Sequence, residues 1–322
     1  MKNNAITRIV LWSIVIVVLL GIMCCLMFGT PWSRRSGATE SALVTAPDET
    51  MVSGWSATVD DAKYSVSTDV VQKISIEWVS GDILIQPGDV EEITFHEDNV
   101  NDEKYALVWK RRNNELDIRF CAENVSRFFG INTVTLSKDL TIVVPRDWVC
   151  DSLEVDAASA TLEVNDMTIR EVDLDTVSGT CEFENCTVDE IDIDTASGDI
   201  RFIGSLDTLS CDAASASVYA VLSNIPSRLD MDTMSGDLDI TIPEDAGFTI
   251  TMDTMSSEFS SDFDTTVKNG KQVCGDGRCR INISAMSGDV AIRKGESDAV
   301  STIPDAPIAP EAPTAPDAPT AP

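Results

Sequence analysis

From Leu153 to Ile292 apolar residues fall at every second position for a few residues, stop at a corner of small residues, and resume with the opposite parity. Aligned on the serine of that corner, the chain shows Ser159, Ser178, Ser197, Ser215, Ser235 and Ser256 at spacings of 19, 19, 18, 20 and 21 residues, and Ser287 after a further 31. Six and four residues before the serine stand Leu153 and Val155, Val172 and Leu174, Ile191 and Ile193, Leu229 and Met231, Ile250 and Met252, Ile281 and Ile283. The positions between and just after them are mostly acidic, as in Asp173 and Asp175 or Asp192 and Asp194. After the serine the apolar pairs are Ile200 and Phe202, Leu238 and Ile240, Val290 and Ile292. Period two puts one face of a strand inward and the other outward. A parity flip at Ser-Gly or Ser-Ala marks a tight corner that needs little room.

Each unit therefore predicts a strand, a corner, a second strand and a return turn. One unit cannot bury its apolar residues alone, whereas stacked units share a continuous core. The predicted fold is all-β: a parallel β-solenoid of roughly 19-residue coils, preceded by one N-terminal transmembrane helix. A sandwich of ordinary hairpins is the alternative. The scarcity of Asn-Gly and Asp-Gly turns within the repeats and the near-constant period speak against it. Upstream, KISIEWVSGDILIQPGD, ITFHE, YALVWKR, NELDIRF and LTIVVP add short strand-like runs.

The remaining segments differ in kind. Residues 1–8 are a short stub. Residues 9–28, IVLWSIVIVVLLGIMCCLMF, are apolar except for Ser13 and Gly21 and are long enough to cross a hydrocarbon core of about 30 Å. Trp12 and Trp32 lie near the two ends. No small-residue cleavage site follows, so an uncleaved anchor is expected rather than a signal peptide. Lys2 and Arg8 on one side nearly balance Arg34 and Arg35 on the other, so charge alone does not orient it. Residues 29–63 read as a polar stalk, 64–296 as the repeat domain, and 297–322 as a Pro/Ala-rich, polyproline-like tail.

Charge narrows the function. The net charge is -31, and between Asp151 and Asp262 there are 26 acidic residues against three basic ones. Such a surface repels nucleic acid and attracts cations or basic partners. His96 is the single histidine, which removes histidine-based triads and zinc sites. Cys274 and Cys279 bracket CGDGRC, and Cys181 and Cys186 bracket CEFENC. A disulfide and a pair of reduced, partly buried thiols both remain open for each. Trp78, Trp109 and Trp148 precede the repeats and are expected to close the end of the core, with sugar stacking as the alternative. Lys110, Arg111 and Arg112 are expected to flank a turn, with a docking site for an acidic partner as the alternative.

The opening IEWVSGDILI, the IVVPRDW segment and the serial SGD or SAS corners resemble the bacterial DUF4097 family of adhesin-like β-strand repeat proteins, from about Lys73 to Arg293. That resemblance implies a membrane-associated, surface-facing solenoid and supplies no catalytic residues.

The expected role is a membrane-anchored, extracellular structural or binding module that is not an enzyme. Its partners would be the membrane, through the N-terminal helix, and an extracellular protein or glycan. An envelope sensor or scaffold, and then a polysaccharide-active β-helix, are the alternatives. No cofactor is expected. One metal expectation attaches to Asp156, Asp175, Asp194, Asp212, Asp232 and Asp253, each three residues before its serine, as a carboxylate ladder able to take calcium.

Overall fold

The computed structural model describes residues 64–100, 105–121 and 137–295. The expected anchor, stalk and tail lie outside these residues.

The chain enters through β1 (Tyr64–Val66) and the long, bent β2 (Lys73–Gly88). The shorter strands β3 (Ile93–Asp98), β4 (Val108–Arg112), β5 (Glu115–Arg119) and β6 (Asp139–Pro145) follow. The repeats are β7 (Val149–Asn165), β8 (Thr168–Ser178), β9 (Cys181–Ser197), β10 (Ile200–Ser215), β11 (Val218–Leu222), β12 (Arg228–Ser235) and β13 (Leu238–Pro243). The distal part holds β14 (Phe248–Ser256), β15 (Phe259–Ser261), β16 (Thr266–Lys268), β17 (Lys271–Cys274), β18 (Cys279–Ser287) and β19 (Val290–Gly295). Pairing between the repeat coils is parallel, in the register expected from the corner serine, while β1, β3, β4 and β17 pair antiparallel with their neighbours. Ser159 pairs with Ser178, Ser178 with Ser197, Ser215 with Ser197, and Ser215 with Ser235.

This register stacks like on like inside. Ile76, Val155, Leu174, Ile193, Cys211 and Met231 form one buried ladder before the corner. Ile85, Val164, Phe183, Phe202, Ala220, Ile240 and Ile292 form another beyond it. Phe183 and Phe202 meet at 5.8 Å between ring centroids. The corner needs small residues because coils lie backbone on backbone there. Gly236, at φ +151°, has the carbonyl of Ala216 where a Cβ would project.

The order of coils in space departs from their order in the chain at both ends. At the proximal end β2 lies between β7 on one side and β5 with β6 on the other. At the distal end β18 pairs with β12 on one side and β14 on the other, while β19 pairs with β13 and β15. The last coil of the chain is thus inserted between two earlier ones, and Ser256 neighbours Ser287 rather than Ser235. The period could not reveal this. Every coil presents the same corner register, so any two fit side by side.

The same topology selects the reduced reading for both cysteine pairs. Cys274 and Cys279 both oppose Phe248, from β17 and β18 on opposite sides of β14. Two strand spacings, about 9.6 Å, exceed the reach of a disulfide. Cys181 and Cys186 lie five residues apart in β9, on either side of a bend at Asn185, and both thiols are free. All seven cysteines among the described residues are free. CGDGRC is instead a crossover. It passes so close over the start of β14 that a Cβ at Gly247 would strike Asp276, and Thr249 Oγ1 donates to the carbonyl of Gly277 at 3.1 Å.

The proximal end is closed by aromatic packing. Trp78 is buried edge-on against Phe120, and its Nε1 donates to the carbonyl of Lys138 at 3.0 Å. Trp109 stands edge-on to Phe95 and Tyr64, and Trp148 donates to the carbonyl of Val71. Lys110, Arg111 and Arg112 end β4 before an Asn113–Asn114 turn. Lys110 and Arg112 both pair with the buried Asp117.

Candidate functional site

The outward residues of the first half-coils form the most distinctive surface. Pleating fixes their direction, because each alternates with residues that face the core. Three residues before the corner, Glu77, Asp156, Asp175, Asp194, Asp212 and Asp232 follow one another across successive coils. Five before it, Glu154, Asp173 and Asp192 make a second row, which passes through Ser210 to Asp230. Parallel strands place neighbouring rungs about 4.8 Å apart.

Five of the six expected carboxylates form this continuous ladder, with Glu77 extending it. Asp253 does not join it, because Ser284 of the inserted coil lies between Asp232 and Asp253. The ladder perturbs its own acids. Partial burial, then the charges of Asp175, Glu154 and Glu77, push the Asp156 carboxyl up to about 6. Partial burial, then Asp232 and Asp194, push Asp212 up to about 6 as well. Asp175, Asp194, Asp173 and Glu154 shift upward, burial again leading and neighbouring carboxylates adding to it. The rungs run along a line, one carboxylate per row and coil. Among the described residues no group of three or more His, Cys, Asp or Glu is arranged to hold a metal ion.

A second feature runs beside it. The corners 178–180, 197–199 and 215–217 line a shallow groove of about 300 Å³. Aspartates at the ends of the corners tie coil to coil, Asp199 in this groove and others beyond it. Asp199 accepts the amide of Ser217, Asp237 that of Asp289, and Asp289 that of Glu258. At the proximal end Asp139 accepts the amide of Asp82. Threonines two before the serine point inward; Thr176 and Thr233 donate to the carbonyls of Ser178 and Ser235. The sequence carries a signal for these roles in the recurring final Asp of SGD and the Thr of DTxS.

Burial disfavours the thiolate at five of the cysteines: it pushes Cys181 and Cys186 up to about 11, and Cys150, Cys211 and Cys279 up to about 12. His96 sits on β3 with Nε2 3.3 Å from the carboxylate of Asp98.

A stack of parallel coils sharing one corner, closed by aromatic packing at its proximal end and faced with carboxylates, defines an all-β repeat domain with no helix among the described residues. The chain belongs to the Toastrack DUF4097 family, whose model matches residues 71–208 and 204–293. No curated protein matches it. Three crystal structures are similar to it. One is a "putative cell adhesion protein" from Clostridium sporogenes, at 11% identity and a TM-score of 0.35, covering 73% of this chain and 98% of its own. A "putative adhesin" from Bacteroides fragilis matches at 11% and 0.39, covering 72% and 96%. A "putative lipid binding protein" from Parabacteroides distasonis matches at 12% and 0.30, covering 73% and 96%.

Proposed function

We propose that this protein is a membrane-anchored, surface-exposed binding module that engages cationic groups of an extracellular partner with its carboxylate face, and that it is not an enzyme. The observation that carries this reading is the double row of carboxylates on consecutive coils. Arg119 pairs with Glu77 and Arg228 with Asp230 at the ends of the rows; the acids between them repel one another, and a cationic partner would relieve that repulsion. A catalytic pair of carboxylates would flank a cleft, with one of them set apart by its surroundings. Here the acids recur rung after rung along a flat sheet. The apolar run 9–28 supplies the anchor, and the stalk 29–63 would carry the domain away from the bilayer.

The test adds a fluorescent lysine-rich peptide to intact cells expressing the full chain, a variant with Asp175, Asp194 and Asp212 changed to Asn, or a control with Glu163, Glu182 and Glu184, which lie beyond the corner, neutralised. Chain-dependent binding should weaken with salt and fall at least tenfold in the first variant only. Equal loss in both variants would refute the face. Binding by purified protein but not by cells would refute the outward topology.

A further inference from the structure

We propose that the final coil, β18–β19, is exchangeable, and that its slot takes the same coil from a second copy of this chain, giving strand-swapped dimers. The slot is open by topology. β18 lies between β12 and β14, and β19 between β13 and β15, although β13 runs into β14 through only residues 244–247. The two walls are alike. Met-Asp-Thr-Met-Ser occurs at 231–235 in β12 and at 252–256 in β14, and both copies meet β18 in the same register. Met231 and Met252 both pair with Ile283, Thr233 and Thr254 with Ala285, and Ser235 and Ser256 with Ser287.

The slot also favours being filled. Without β18, β12 and β14 could close on each other in that same register, which would set Asp232 beside Asp253. Ser284 separates the two carboxylates when the coil is in place. The segment known to fit is β18–β19 itself, so an identical segment from another copy would make every one of these contacts. Exchanging an identical element is an accessible route to dimers.

The connection permits the exchange. Between β15 and β18 the chain forms the small β16–β17 hairpin, with three pairs, Thr266 to Val273, Val267 to Gln272 and Lys268 to Lys271, and β17 adds three pairs to β14, so that exchange releases these six pairs and the Phe263 ring packed on Phe248. All three residues of β16 are exposed, Val267 at 68%, and nothing lies within 4 Å of where a Cβ on Gly270 would be. Unfolded, residues 262–278 reach about 50 Å, enough to carry the coil to a neighbouring molecule.

The experiment uses full-length chains with Cys24, Cys25 and Cys274 changed to Ser. One population carries Asp232→Cys and the other Ser284→Cys, positions that pair directly in the native register. The two are unfolded together, refolded, and treated with a thiol crosslinker spanning about 5 Å. Covalent dimers joining the two populations are expected, rising with protein concentration. None is expected when Asp194→Cys, three rungs from Ser284, replaces Asp232→Cys. Arg228→Cys with Arg280→Cys, another registered pair, serves if the first pair impairs folding. Intrachain crosslinking in a doubly substituted chain, with no dimers in the mixture, would overturn the proposal. So would dimers formed equally well with Asp194→Cys.

Discussion

Replacing Asp212 with Asn should stabilise the repeat domain at neutral pH. Asp212 sits on the ladder between Asp194 and Asp232. Two unit charges about 4.8 Å apart repel by roughly 0.9 kcal/mol in water. Salt near 0.15 M, with a Debye length of about 8 Å, removes nearly half of that. Two neighbours together therefore contribute about 1 kcal/mol of strain that Asn relieves while keeping the side chain's shape. The carboxyl's rise from 3.8 to about 6 points the same way. At 1.36 kcal/mol per pKa unit that rise would amount to about 3 kcal/mol for a group removed from solvent; Asp212 is exposed, so solvent screening brings it down to about 1 kcal/mol. Its folded value lies above its unfolded one. The unsubstituted chain therefore loses stability as pH rises from about 4 through about 6, and the advantage of Asn should appear over that window. Thermal unfolding in 0.15 M salt should show a rise of about 2–4 °C at pH 7.5, no rise near pH 3.5, and a smaller one in 1 M salt. An equal gain at both pH values would show that charge is not the cause. A loss at pH 7.5 would refute the ladder's electrostatics altogether.

Two further outcomes follow from packing. Gly236→Ala should destabilise the domain by about 3 kcal/mol in denaturant titration, because a Cβ at φ +151° meets the carbonyl of Ala216 in the adjacent coil; a loss below about 1 kcal/mol would mean the corners are not in close contact. Lys138→Met should cost about 3–5 kcal/mol, since it leaves Glu97 without its cation, and adding Glu97→Gln should recover part of the loss. No recovery in the double variant would show that the cost comes from packing rather than from the stranded charge.

The pattern of Leu153, Val155 and their counterparts determined the coil. Alternation sets which side chains face inward, and a parity flip at a small residue leaves little choice but a corner. These are short-range steric facts, so a single chain displays them. Ser178 over Ser197, and Asp175 beside Asp194, were legible for the same reason. Lys138 was not. In LSKDLTIVV it reads as a surface lysine, yet it is 2% exposed, lies over the Trp78 and Phe120 rings, and donates to Glu97 and to the carbonyls of Tyr105 and Phe120. Those partners come from distant parts of the chain. Burial disfavours its charge, and only the contacts assembled by the fold compensate for it. Neighbour order was equally hidden. Any coil can stack on any other when all share one register, so the pattern of Asp232, Asp253 and Ser284 was compatible with several orders. The tertiary structure chose the one in which β18 enters between β12 and β14. That choice breaks the carboxylate ladder at Ser284, separates Cys274 from Cys279, and makes CGDGRC a bridge over β14.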